Sequence, residues 1–398
     1  MNKIRGLFLL MIIVLLTNCS HKSLSIDDFP VIDVNRKYPE KEINLNNIAN
    51  ITYVILDSKN KDFLYRGSPR YITENTIVVT CVSTYSILFF SKDGTPKSRF
   101  NRYGRGPEEY LGLVNKIVYD EAADDVFISD RFTNQIQVYS SKGEYKRKLP
   151  LPRGVSVCLM GTFDDQSLML YDESRMLYKA QPKKPTDNMD YLTHKVDSSF
   201  FLVSKADGQV LDYVQMVASQ NDLSAKTPNG NPMVFFFTQI VKHKEGFLLC
   251  NPETDTVFLY NKNKDLIPII SKVPLVGRSK PDVIINNCID VERYQFFEIQ
   301  TLDYLSRGER PSKHYMRDKK TGEIFQQKIV IPDYKGKTIT ISPGHFSSFY
   351  ENGTIIVLDM FDLQQAYRAN RLSGKLKELV ASLDRSEENN VYMFVDFK

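Results

Sequence analysis

Three stretches of this chain superimpose on one another without a gap, and no other feature limits its fold as tightly. Residues 76–94 read TIVVTCVSTYSILFFSKDG and residues 125–143 read DVFISDRFTNQIQVYSSKG. Val78 falls on Phe127, Ile87 on Ile136, Phe89 on Val138, Phe90 on Tyr139 and Gly94 on Gly143. Residues 247–264 (FLLCNPETDTVFLYNKNK) align on 126–143 and lack only the final glycine. Each copy is one hairpin. An apolar run forms a strand, a polar stretch turns the chain, an alternating strand returns, and a closing glycine admits positive φ for another tight turn. Looser copies occupy 168–172 resuming at 200–208, 294–299 resuming at 314–322, and 354–359.

Length agrees with repetition. A single hydrophobic core stops growing at roughly 250–300 residues, and this chain has 398. Short Val, Ile, Phe and Tyr runs broken by Asp, Asn, Lys-Gly and Pro clusters mark an all-β protein. Six irregularly spaced hairpin units, each able to seed a four-stranded sheet, predict an all-β, six-bladed β-propeller of four-stranded antiparallel blades. Five or seven blades also fit the spacing. Blades bury their faces only against neighbours, so the ring must close. Residues 51–56 (ITYVIL) and 391–395 (VYMFV) are the expected partners, one from each end of the chain.

The N-terminus is an address. Lys3 and Arg5 precede ten unbroken apolar residues, 7–16 (LFLLMIIVLL). As a helix these span about 15 Å, half a bilayer's hydrocarbon core, which reads as a signal peptide and not a membrane span. Leu16-Thr17-Asn18-Cys19 then resembles a bacterial lipoprotein box, which implies cleavage after residue 18 and lipidation of Cys19. A plain secretory signal with an incidental cysteine is the alternative. The expected organisation is a signal peptide at 1–18, a lipidated cysteine and tether at 19–30, and one propeller over 31–398. The expected location is the cell envelope, at the outer membrane, on either face.

Lys and Arg total 52 against 48 Asp and Glu. Without Lys3 and Arg5 the balance is 50 against 48, too even for a nucleic-acid footprint. Cys81, Cys158, Cys250 and Cys288 have no spacing that suggests a disulfide framework or metal site, and read as buried, unpaired thiols.

Tyr103-Gly104-Arg105-Gly106-Pro107-Glu108-Glu109-Tyr110, with the strands after it, resembles one NHL-type blade. More narrowly, the chain from about residue 31 is similar to the six-bladed β-propeller lipoproteins of Bacteroides and relatives. That resemblance implies the fold and export, and no particular activity. The glycine pair lacks the third glycine and the Lys-Ser/Thr of a phosphate loop, so it reads as a turn between blades.

Asp130, Asp172, Asn251 and Asp359 recur at the end of the first hairpin strand. They are candidate channel-mouth carboxylates able to attract Ca²⁺, or residues that begin the turn by accepting backbone N–H bonds. The five histidines, His21, His194, His243, His314 and His345, form no metal motif. His345, within Ser342-Pro343-Gly344-His345, is a candidate polar site. The insertions are candidate binding loops, because loops on a rigid scaffold carry function. They bring Tyr178, Lys183, Lys184, Tyr304, Arg307 and Arg310, which suit sugar rings or acidic groups. The expectation is a membrane-anchored binding or scaffold module for an envelope protein or glycan, without a required cofactor or evident catalysis. A glycan- or lactone-acting hydrolase or lyase is the alternative.

Overall fold

The repeated hairpins form the middle of twisted sheets in the computed structural model of the chain. The structure describes residues 29–398 except 66–68, 82, 112–116, 131–133, 175–197, 217–224, 227–231, 234–238, 276–277, 279–282, 302–311, 343–349, 352 and 384–388. Three strands come first: β1 (Val31–Asp33), β2 (Glu40–Asn44) and β3 (Ala49–Ile55). Blade 1 is β4 (Pro69–Ile72), β5 (Thr76–Cys81), β6 (Ser86–Ser91) and β7 (Pro96–Phe100). Blade 2 is β8 (Ile117–Asp120), β9 (Asp125–Asp130), β10 (Gln135–Tyr139) and β11 (Tyr145–Pro150). Blade 3 is β12 (Val157–Thr162), β13 (Ser167–Asp172), β14 (Phe200–Ser204) and β15 (Val210–Tyr213). A small ribbon, β16 (Ala225–Lys226) with β17 (Pro232–Met233), precedes blade 4. That blade holds β18 (Ile240–His243), β19 (Gly246–Leu249), β20 (Thr256–Asn261) and β21 (Leu266–Val273). Blade 5 is β22 (Val283–Asp290), β23 (Tyr294–Thr301), β24 (Ser312–Asp318) and β25 (Ile324–Val330). After β26 (Thr338–Ile339), which pairs with β25, blade 6 is built from β27 (Gly353–Leu358), β28 (Val391–Phe397) and β3.

Six blades are present, and the three gap-free repeats are the central hairpins β5–β6, β9–β10 and β19–β20. Their apolar residues face both ways because each blade is covered on both sides. Val78, Phe89, Phe127 and Val138 lie in one continuous core with blade 3. First strands of successive blades touch, β4 with β8, β8 with β12, β12 with β18 and β18 with β22, so they form the inner ring. Closure joins the two ends as the sequence predicts. β28 pairs antiparallel with β3, from Val391 opposite Ile55 to Phe397 opposite Ala49. The residues before β3 form a belt, with β1 added parallel to β21 and β2 parallel to β25.

One element departs from expectation. The turn after Leu358 is not a hairpin turn but two helices, α1 (Met360–Arg368) and α2 (Gly374–Ser382). Asp359 caps α1 by accepting from Phe361 and Asp362 N–H. Leu363, Ala366, Leu376 and Val380 turn inward onto the blade 5–6 core.

The closing glycine of the repeat has a packing reason. Gly143 has φ +84, and a Cβ there would lie 2.5 Å from that of Phe100 in the preceding blade. In the third copy Lys264 takes the same left-handed conformation, at φ +67.

Blade topology sorts the connections. Those between first and second strands, and between third and fourth, open on one face, here the lower. None among blades 1–5 exceeds five residues. Connections between second and third strands, and those leading into each first strand, open on the upper face. The described ends of all the long connections are there, as are α1 and α2.

Candidate functional site

The turn residues flagged by the repeat are engaged locally. Asp130 accepts from Leu111 N–H at 3.0 Å. Asp172 accepts from the N–H groups of Ser156 and Ser174, both at 2.9 Å, and from the Ser174 hydroxyl at 2.8 Å. Burial nonetheless raises its carboxyl above the ordinary aspartate value, with Glu173 adding to the rise. Asn251 accepts from Glu253 N–H at 3.0 Å, and Asp359 is the α1 cap. Among the described residues no three His, Cys, Asp or Glu side chains gather to hold a metal ion. Cys19, Tyr178, Lys183, Lys184, Tyr304, Arg307, Arg310 and His345 lie outside the described residues.

The glycine-rich segment is a self-filled turn. The Glu109 carboxylate accepts from Gly106 N–H at 2.7 Å, in the position an anion would take. A Cβ on Gly104 would fall 1.9 Å from the same oxygen. Tyr110, 1% exposed, donates its hydroxyl to the Tyr85 carbonyl at 2.6 Å. Tyr139 donates to the Glu108 carbonyl at 2.9 Å.

Among the described residues Cys81, Cys158, Cys250 and Cys288 form no disulfide. Burial pushes Cys250 up to about 12 and Cys288 well above the ordinary thiol value. Both are therefore unreactive at neutral pH.

A polar cluster lies between blades 5 and 6, on residues outside the gap-free repeats. Phe296 on β23 packs into the apolar interface with blade 6. Glu298 and Gln300 follow on the same side of the strand, two and four residues on. On β22 the pairing slips between Ile285 and Asn287. Such a bulge re-aims side chains, and here both neighbouring amides reach one carboxylate oxygen. Glu298 Oε2 accepts from Asn286 Nδ2 at 3.1 Å, Asn287 Nδ2 at 2.7 Å and the Ser342 hydroxyl at 3.3 Å. His314 stands directly opposite Glu298 on β24. Burial lowers its pKa, with Glu298 acting in the opposite sense, so the ring is neutral at pH 7.

The cluster is rich in unused hydrogen-bonding capacity. Asn286 Oδ1, Gln300 Oε1 and His314 Nδ1 are buried and have no hydrogen-bond partner among the described residues, and Gln300 is only 3% exposed. Natural interiors satisfy nearly all such groups. The cluster also neighbours two predicted regions. Thr301 and Ser312 bound the segment that carries Tyr304, Arg307 and Arg310, and Ser342 precedes that of His345. A signal existed in the sequence: the Asn-Asn doublet within VIINNCID, and Glu and Gln at alternate positions of YQFFEIQ.

Residues 20–216 match a family model described as a 6-bladed β-propeller. Among solved structures, the chain is similar to a candidate exported protein of Bacteroides fragilis. They share 16% identity with a TM-score of 0.60, over 90% of this chain and 99% of the other. It is also similar to a Bacteroides vulgatus protein of the DUF4221 family, at 12% identity and TM-score 0.46, over 88% and 96% of the two chains. Ninety residues are 31% identical to the protein brain tumor of Drosophila melanogaster; they make up 21% of this chain and 9% of that relative. The ring of six blades, the match over residues 20–216 and the likeness to the Bacteroides fragilis protein agree on one fold, a six-bladed β-propeller.

Proposed function

We propose that this chain is a lipid-anchored envelope protein whose upper face binds a ligand, with the polar cluster around Glu298 as one seat for it. The observation that carries the reading is the Gln300 carbonyl, buried and without a partner among the described residues, beside the Asn286 carbonyl and His314 Nδ1 in the same state. Leaving such groups unpaired costs about 1–3 kcal/mol each. A fold that keeps three in one place has a use for them. The ligand brings hydrogen-bond donors, because the amide carbonyls accept only, and hydroxyl-rich molecules fit that demand. Binding is favoured over hydrolysis because Asp130, Asp172 and Asp359 spend their oxygens on backbone N–H groups.

Two variants test this. Gln300→Leu removes a buried unsatisfied group of similar volume, and it is expected to raise apo stability by about 1 kcal/mol while losing ligand binding. Glu298→Gln is expected to fold and to bind at least about tenfold more weakly, a change of roughly 1.4 kcal/mol. Thermal-shift screening of the protein against glycans and divalent cations supplies the readout. A Gln300→Leu protein that is destabilised, with unchanged ligand response, would refute the reading.

Anchoring rests on Cys19 and its box, with the exported character given for the Bacteroides fragilis relative in support. Cys19→Ala is expected to abolish palmitate incorporation and release the protein from the membrane fraction.

A further inference from the structure

We propose that Tyr85 and Tyr103 form an aromatic platform, on the upper face beside blades 1 and 2, that binds one pyranose ring of a glycan. The proposal rests on the reading of the upper face as the binding face, but it uses residues separate from the Glu298 cluster.

Repeat register supplies the first observation. Tyr85 lies in the turn between β5 and β6, and in the gap-free alignment it falls on Asn134 of blade 2. Both are left-handed, with φ +57 and +51. Asparagine is a residue such a turn accommodates, whereas a bulky side chain at positive φ is an outlier. Tyrosine is therefore present at 85 against the preference of its turn. Strained residues of this kind persist only where surroundings over-determine them, and they gather at functional sites. Here Asn101 Nδ2 donates to the Thr84 carbonyl at 2.6 Å, and the Tyr110 hydroxyl donates to the Tyr85 carbonyl at 2.6 Å.

Ring geometry supplies the second. Tyr85 and Tyr103 stack with centroids 4.0 Å apart and planes 10° from parallel. Near-parallel stacking is a contact that aromatic pairs make readily when offset, and here it holds Tyr103 against Tyr85 as one flat, rigid face. Tyr103 is fixed by its N–H to Asn101 Oδ1 at 2.8 Å and by its bridge to Tyr110, within the loop filled by Glu109. It remains 47% exposed.

Surroundings select the ligand. Among the described residues between 65 and 210, Tyr103 is the one exposed large hydrophobic side chain. Exposed Ser83, Thr84 and Arg102 share its two loops. Protein docking uses contiguous apolar patches of several hundred Å². A single flat ring with hydroxyl and guanidinium groups nearby instead fits the C–H face of a sugar and its equatorial hydroxyls.

The test titrates the full chain with cello-, xylo-, manno-, malto- and chitohexaose, reading tyrosine fluorescence directly because the sequence has no tryptophan. At least one hexaose is expected to bind. Tyr103→Ala should weaken it about 3- to 10-fold, the worth of one aromatic contact. Tyr85→Asn, which restores the residue blade 2 uses, should weaken binding similarly while the thermal midpoint holds or rises. No binding by any hexaose would overturn the platform. So would binding that both tyrosine variants leave unchanged, or a Tyr85→Asn protein that loses stability and keeps affinity. If the tyrosine variants bind normally and Glu298→Gln does not, the platform fails and the Glu298 cluster stands.

Discussion

His314 sets a pH dependence that belongs to one residue. Its pKa in the folded protein is lowered from 6.5, chiefly by burial, while Glu298 pulls it back up. The unfolded chain therefore takes the proton more readily. The stability contributed by the neutral ring is complete above pH about 6.5 and declines as pH falls through that value towards the lower folded pKa. His243 acts in the same sense, its pKa lowered by burial against Asp290 and Glu245, with Lys244 and Lys319 assisting. Urea midpoints measured at pH 7 and pH 5 should show a loss on acidification, and His314→Gln should reduce that loss without removing it. An unchanged pH response in His314→Gln would mean that the ring is not held neutral by its burial. Gln300 and Tyr85 make the same point without titrating, since each breaks a rule that its neighbours obey.

At the scale of elements, legibility followed the repeat. The central hairpins announce themselves because both of their faces are buried, so apolar runs and a closing turn recur in register. The same uniformity hides the polar cluster, where Glu298 and Gln300 continue the strand alternation begun by Tyr294 and Phe296. Only the bulge at Asn286 and Asn287 distinguishes them, and pairing slips are set by tertiary contact. The missed helices failed for a different reason. Asp359 occupies the hairpin position of Asp130, so a side chain that accepts backbone N–H groups serves a turn in one blade and a helix cap in another. The deciding signals lie beyond it, in Leu376 and Val380 at helical spacing and in a left-handed Asn370 between the helices. Lys264 shows the limit of matching by residue type, because lysine there takes the conformation that glycine takes in the other copies.

The whole molecule depends on two uses of its N-terminal segment that differ in consequence. β1 and β2 only extend blades 4 and 5 outward, each through a parallel pairing on an already complete sheet. β3 instead supplies the outer strand of blade 6, paired along its length with β28, whose residues Val391–Val395 are buried. Removing residues 29–44 should therefore lower the thermal midpoint and leave one cooperative transition. Removing 29–55 should abolish it, because β28 becomes an unpaired edge and the ring loses its clasp. The geometry also offers a rescue. Lys398 N–H donates to the Ile48 carbonyl at 3.0 Å, and Phe397 stands opposite Ala49, so the end of β28 already abuts the start of β3. Appending residues 48–56 after Lys398 through an Asn-Gly turn would convert the clasp into an ordinary hairpin. That rearranged chain should recover the cooperative transition seen by thermal denaturation. Its failure to do so, or loss of folding in the 29–44 deletion alone, would move responsibility for closure from the β3–β28 clasp to the outer belt.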